Sequence, residues 1–310
     1  MKRLLFLFLL FPFLLHAQSD TVPDSVWHRG AFFGFNFTQA SFTNWAAGGV
    51  NSISGQAFSG GFVRYKKDST SWENTLELAY GLLQQGGRTK LRKTDDRIDF
   101  TSKSGIYAFK RVWYYSALIG FRTQFSPGYT YPGDTAQVLI SDFMSPAYLV
   151  AAVGLDYKPN KYFSLLIAPV TGRSTFVTSQ TLANQGAFGV KKAVYDSAGL
   201  LLVPGEKVRH EFGGYVRATF KKEVMKNVTV AWRCELFTNY LKDPQNIDVN
   251  TEMNIGMKVN KFITVSLKMQ AIYDNDINVP VDENRDGISE GVGPRLQFAQ
   301  LLGVGFLVKL

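Results

Sequence analysis

The sequence predicts an all-β chain: a transmembrane antiparallel up-and-down β-barrel of about twelve strands, with short periplasmic turns and long extracellular loops. Three observations predict it. Extended segments alternate apolar and polar residues with a period of two, most plainly between Ile247 and Tyr273. The joins between segments alternate short and long. The first residues read as an export signal, and no later segment is apolar for the roughly 18 residues of a spanning helix.

The signal comes first. Lys2 and Arg3 precede an apolar run, Leu4 to Leu15, and then His16-Ala17-Gln18-Ser19. A basic head, a short apolar run and a small residue before a polar stretch define a secretory signal peptide over residues 1–17, cleaved after Ala17. A membrane anchor needs roughly 17–25 apolar residues, and this run is too short. Residues 18–28 follow as a periplasmic N-terminal segment and residues 29–310 as the barrel. The single cysteine, Cys234, excludes an intramolecular disulfide and a Cys-based metal cage.

The strands follow in order. Residues 29–39 set Phe33, Phe35 and Phe37 against Gly34, Asn36 and Thr38. Residues 51–66 turn through Lys67-Asp68-Ser69-Thr70 into residues 72–84, where Leu76, Leu78, Tyr80 and Leu82 oppose Glu73, Thr75 and Glu77. Residues 97–109 and 112–125 join at Lys110-Arg111. Residues 147–157 and 162–172 join through Lys158-Pro159-Asn160-Lys161; their alternation is weak, and Pro169 counts against a central strand. Within the long connection of residues 173–208, the stretch 178–190 suits a short helix interrupted at Gly186 and Gly189. Residues 209–220 and 227–240 alternate again. The hairpin of residues 247–273 sets Ile247, Val249, Met253 and Ile255 against Asp248, Asn250, Glu252 and Asn254. Leu302, Val304, Phe306, Val308 and Leu310 close the chain, and its end resembles the C-terminal signal by which bacterial barrels are recognised by their assembly machinery. Segments of about a dozen residues exceed the usual strand of about 5–6 and suit a tilted crossing of about 9–11.

The formal net charge of +9 invites a nucleic-acid partner, and its placement argues against one. Many of the charges sit in the short joins, as Lys66-Lys67, Lys110-Arg111 and Lys221-Lys222, where a barrel gathers them into a basic rim facing lipid headgroups. Outer-membrane lipids are therefore the expected partners. Tyr65, Trp72, Trp113, Tyr157 and Tyr162 lie near the same joins, as an interface girdle requires. The polar faces carry both signs: acidic Glu73, Glu77, Asp99, Glu211, Glu235, Asp248 and Glu252, and basic Lys103, Arg122, Arg209, Arg217, Arg233, Lys258, Lys268 and Arg295. A selective pore lines its lumen mainly with one sign. A balanced face predicts ion pairs filling a narrow interior.

The stretches 41–54 (SFTNWAAGGVNSIS), 182–190 (LANQGAFGV), 243–249 (DPQNIDV) and 293–306 (GPRLQFAQLLGVGF) carry a more specific likeness. Through them the chain resembles an outer-membrane barrel family of the Bacteroidota catalogued as a domain of unknown function. The resemblance implies a fold and an outer-membrane location and supplies no activity, substrate or catalytic residue.

Two stretches invite chemistry. Asp282-Glu283-Asn284-Arg285-Asp286-Gly287-Ile288 has oxygen donors at positions one, three and five and glycine at six, the first half of a calcium loop. Asp282, Asn284, Asp286, the Ile288 carbonyl and Glu290 form the candidate metal set; Gly293 at position twelve removes the bidentate carboxylate of an EF-hand. An acidic surface turn explains the same residues equally well. A lipid hydrolase needs a serine activated by histidine, and His210 falls in the lipid-facing phase with Phe212, with no serine beside it along its own strand and none named on another. No catalytic residue is assigned. The expectation is a non-catalytic outer-membrane barrel, structural or a narrow solute path, against two alternatives: a lipid hydrolase, and a barrel that presents the loops of residues 126–146 and 173–208 to a partner.

Overall fold

The computed structural model describes residues 26–41, 51–86, 91–110, 112–131, 136–281 and 291–309. Twelve strands form one closed antiparallel barrel. They are β1 (Trp27–Ala40), β2 (Ser52–Lys67), β3 (Thr70–Gln85), β4 (Arg92–Phe109), β5 (Trp113–Thr123) and β6 (Ala147–Asn160), then β7 (Phe163–Phe176), β8 (Val208–Met225), β9 (Val228–Asn239), β10 (Ile247–Lys258), β11 (Ile263–Tyr273) and β12 (Gln297–Lys309). Each pairs with its neighbours in sequence, and β1 closes the ring on β12, with Phe32 opposite Lys309 and Phe37 opposite Val304. Among the described residues no helix is long and apolar enough to cross a membrane.

The pleat sorts the side chains as the alternation requires, but inverted relative to a protein packed around an apolar centre. Outward positions are apolar and exposed, as Phe33, Tyr115, Val153 and Leu302. Inward positions bury Asp99, Asp156, Glu211 and Glu252. On one side the interior is apolar: Leu118, Ala152, Leu166, Ala168, Tyr215 and Phe237 pack together inside the wall.

All five short joins lie at one end. Two share a construction: Asn160 Oδ1 accepts hydrogen bonds from the backbone of Tyr162 and Phe163, and Asn260 Oδ1 accepts them from Phe262 and Ile263. An asparagine side chain that mimics a backbone turn lets the chain reverse in few residues. The aromatic girdle stands at this end, with Trp27 against Tyr65 and Trp72, and Trp113 between Phe109 and Tyr157.

Several strands run longer than the alternation alone indicates. β1 begins at Trp27, inside the segment assigned to the periplasmic leader, and β8 continues past Phe220 to Met225. β6 runs through Pro159 to Asn160, and β7 runs past Gly172 to Phe176. The cause in β7 is a bulge. Val153 pairs with Val170 but Leu155 with Ile167, and Gly213 pairs with Thr171 but Tyr215 with Ala168. Pro169 is skipped on both sides, so it breaks no ladder hydrogen bond and is tolerated in a barrel without edges. Below the bulge Leu166 and Ala168 are buried; above it Thr171 and Thr175 are. The extra residue shifts the inward phase by one, which erases simple alternation from the sequence.

The long loops at the opposite end fold on themselves. Gln180–Asn184 is a short α-helix, and Gly186, in the left-handed region at φ 73°, leads into a 3-10 turn at Ala187–Gly189. Val177, Leu182, Ala183 and Val190 form a small core against Leu139 of the preceding long loop. Ser145 Oγ meets Thr178 Oγ1 at 3.1 Å and accepts from the Ser179 backbone at 2.9 Å. The loops between β5 and β6 and between β7 and β8 thus make one body.

Candidate functional site

The interior is organised as two layers of charge with a chamber between them. The lower layer lies at mid-barrel. Arg97 on β4 donates both to Glu252 Oε1 and Oε2 on β10, at 2.8 and 2.7 Å. These strands stand six places apart on a ring of twelve, so the pair spans the barrel's diameter. Arg233 reaches Asp99 at 2.9 Å and Glu252 at 3.3 Å. Arg122 lies 3.2 Å from both Asp99 and Glu235. Tyr215 donates to Glu235 at 2.9 Å, and Arg217 stands 3.7 Å from the same carboxylate. Charges desolvated in this way persist only when paired and hydrogen-bonded.

The upper layer sits beneath the loops. Arg173 makes a two-bond fork to Glu211, both at 2.8 Å, and reaches Asp248 at 2.6 Å while its guanidinium covers the Phe237 ring. Arg209 joins Glu211 at 3.0 Å to Asp276 at 3.3 Å, and Lys242 holds Asp276 at 2.9 Å. Arg209 also donates to the Gly189 carbonyl at 3.4 Å, tying the barrel to its loops. Desolvation works against the Asp276 carboxylate, yet the Lys242 hydrogen bond and the Arg209 charge hold its pKa below the ordinary value. The hydrogen bond to Asp276 raises Lys242 in return.

Between the layers a cavity of about 150 Å3 is lined by Arg122, Tyr148, Arg173, Tyr215, Phe237 and Ile272, among others. Its wall mixes both charges with apolar rings, so it has no single-sign field to select an ion. A third cluster fills the side near the short turns: Lys103 holds the fully buried Asp156 at 2.8 Å, with Ser164 donating to it at 2.6 Å.

Most of the charges expected on the polar faces point inward and meet here. Arg295 does not: it lies in the connection before β12 and donates to the Pro294 carbonyl. Arg97, Arg173 and Asp156 were not singled out from the sequence. Arg97 was recoverable, since it is in phase with Asp99. Arg173 was hidden because the bulge places it on a strand where alternation indicates a loop.

His210 does have a partner. Ser174 on β7 lies directly opposite it on β8, and its Oγ stands 2.9 Å from His210 Nδ1. The sequence named no such serine, because finding it requires the β7–β8 register beyond the bulge. Both side chains are in the outward phase near the long-loop end. Among the described residues no carboxylate or amide side chain orients the imidazole.

The candidate metal residues Asp282, Asn284, Asp286, Ile288 and Glu290 lie outside the described residues, as do the signal peptide and residues 42–50. The flanks of the candidate loop are described: Val279–Val281 pairs with Gly291–Gly293 and brings its two ends together. Among the described residues no group of His, Cys, Asp and Glu side chains is arranged to hold a metal.

The site and the wall together define a closed β-barrel with an apolar exterior and an ion-paired interior. The family described as "Protein of unknown function (DUF3078)" matches residues 37–129, from the upper part of β1 into the loop after β5. That span contains the first of the four resembling stretches and not the other three. No curated protein matches the chain. Similar solved structures include a NanC porin, at 11% identity over 89% of this chain and 98% of that one, with a TM-score of 0.35. An outer membrane channel from Pseudomonas putida F1 is 8% identical over 94% and 100% of the two chains, with a TM-score of 0.37. The translocator domain of the autotransporter NalP from Neisseria meningitidis is 10% identical over 93% and 90%, with a TM-score of 0.33.

Proposed function

We propose that the protein is a non-catalytic outer-membrane β-barrel whose lumen is closed to solutes and whose folded outer loops carry its role. The observation that carries this reading is the Arg97–Glu252 pair, which joins opposite walls at 2.7 Å in the middle of the lumen. Around it the lumen is filled by paired side chains, as befits a barrel between the filled eight-stranded class and the open porins of about 16–18 strands. Membrane insertion is supported by the exposed apolar exterior, the aromatic girdle and the interior pairing of charge. Export through a cleaved signal peptide rests on residues 1–17 alone.

The outer loops offer the surface for a partner. Val194–Tyr195 pairs with Leu201–Val203, and Tyr195, Leu200, Leu202 and Val203 on this hairpin are each half exposed or more. Contiguous exposed apolar side chains above a folded base mark an interaction site. In planar bilayers the purified protein is expected to remain silent; steady single-channel conductance from the wild type would sink the closed-lumen reading in favour of a narrow solute path. A calcium ion held by residues 282–290 belongs to the same proposal. Chelation is expected to lower resistance to protease in that loop, and unchanged resistance removes the ion.

One observation favours a second reading. The Ser174–His210 contact supplies the nucleophile and base of a lipid hydrolase on the outward face. It ranks second because no described group orients the imidazole as an acid or amide does in a triad. Phospholipid hydrolysis lost in both Ser174→Ala and His210→Ala would reverse the order; no hydrolysis by the wild type keeps it.

A further inference from the structure

The outward face of β1, β2 and β3 near the short turns departs from the rest of the exterior. Its lowest row is the girdle of Trp27, Tyr65 and Trp72, in register across the three strands. The next row upward carries Arg29 opposite Val63, and Val63 opposite Asn74. Arg29 is exposed and in the lipid-facing phase, whereas the arginines at mid-barrel point inward to carboxylates. Among the described residues neither Arg29 nor Asn74 has a side-chain hydrogen-bond or ion-pair partner.

Directly above these two polar groups the wall is hollow. Ala31 stands opposite Gly61, so a row that elsewhere carries large side chains offers one methyl group. A groove of about 630 Å3 opens there, lined by Arg29, Ala31, Gly61, Val63, Leu76 and Phe100 among others. Val63, Leu76 and Phe100 are each more than a third exposed along its rim. One end of the groove is therefore cationic and hydrogen-bonding and the other apolar.

We propose that this face holds one glycerophospholipid, with its phosphate on Arg29 and Asn74 and one acyl chain in the groove over Ala31 and Gly61. The inference rests on the membrane reading above. The aromatic row marks the headgroup level, and two residues of strand rise about 7 Å, which sets Arg29 at the boundary between headgroup and hydrocarbon. An arginine facing lipid so near the interface is tolerated at little cost, and a phosphate accepting its fork of donors offsets that cost. Asn74 adds a neutral donor to a phosphate or ester oxygen. The chain-shaped hollow distinguishes a lipid from free phosphate, which needs no apolar groove.

The test is native mass spectrometry of the full-length protein, extracted from the outer membrane of an expression host and exchanged into a non-lipid detergent. The wild type is expected to retain one phospholipid, or to regain one on adding phosphatidylethanolamine or phosphatidylglycerol, and to bind no inorganic phosphate. Arg29→Ala and Ala31→Phe are each expected to cut the occupancy at least tenfold, the first by removing the charge and the second by filling the hollow. Arg64→Ala, whose arginine faces the lumen, is expected to leave it unchanged. Wild type that is recovered from the membrane fraction as a folded barrel, yet carries no phospholipid, overturns the site alone. Equal occupancy in wild type and Arg29→Ala overturns it too, and binding of phosphate without lipid reduces it to an anion site. Absence of the folded protein from the membrane fraction overturns the membrane reading, and the site with it.

Discussion

Two arcs of the lumen wall are held by different forces. Along β4, β5, β9 and β10, inward positions carry Arg97, Asp99, Arg122, Arg233, Glu235 and Glu252, knitted across the lumen. Along β1 and β2 the inward positions carry phenylalanine and glycine in alternation. Phe58 lies over Gly34, Phe62 over Gly30 and Phe32 over Gly60, each ring occupying the space a Cβ on the opposite strand would need. The first arc is specified by electrostatics and the second by shape. The first can fail by losing one member, because its partners stay buried and charged. The second can fail by gaining an atom.

The largest effect expected from this contrast is Glu252→Ala, which takes a carboxylate from both Arg97 and Arg233. Breaking a buried pair costs about 3–5 kcal/mol, read as a lower unfolding midpoint in urea for protein folded in lipid vesicles. Replacing both partners, as in Arg97→Met with Glu252→Leu, is expected to restore most of that loss. If the double variant is no more stable than Glu252→Ala, buried charge is not what makes the first arc fragile. Next comes Gly34→Leu on the other arc, where displacing the Phe58 ring is expected to cost about 1–3 kcal/mol by overpacking. A neutral result would mean that the rings yield and that shape does not specify that arc.

Smaller still is Arg64→Ala. The Arg64–Glu73 pair is 2.6 Å long but stands near the short-turn end with its arginine side chain 48% exposed, so its loss is expected to cost about 0–1 kcal/mol. A cost matching that of Glu252→Ala would break the link between burial and fragility. The smallest effect concerns the extension of the charged arc into the loops through Asp276. Its pKa is lowered in the folded protein by Lys242 and Arg209 against the pull of desolvation. The stabilisation is therefore present at neutral pH and is lost only as pH falls below the ordinary aspartate value of about 3.9. Protease access to the loop between β11 and β12 is expected to rise only in that acid range. Asp276→Asn is expected to show raised access already at pH 7, and identical profiles for the two proteins would count against the link.

The arcs were unequally legible in the sequence. Period-two alternation together with the spacing of the short joins places the strands, least clearly β6 and β7, and mixed signs on the polar faces foretell a paired interior. Side-chain phase does not say which strands face each other across the ring, so no amount of local pattern joins Arg97 to Glu252. The phenylalanine–glycine arc is visible as composition in residues 30–37 and 55–62, but its interlock needs the β1–β2 register. β6 and β7 were the weakest stretch to read, and the bulge at Pro169 explains why: one unpaired residue ends one alternation and starts another. Ser174 beside His210 and Arg173 in the upper layer were lost with it.

That bulge behaves like a change of reading frame in a code whose letters are inside and outside. Downstream of Pro169, every residue of β7 from Val170 to Phe176 takes its side of the wall from a single inserted position. Deleting that position would be a point change in the chain and a rewriting of seven addresses at once. Arg173 would be sent outward to lipid and Ser174 inward to the charge layer. Homologous barrels can therefore be aligned across this strand only if the insertion is counted, and a comparison that ignores it would match inner residues with outer ones.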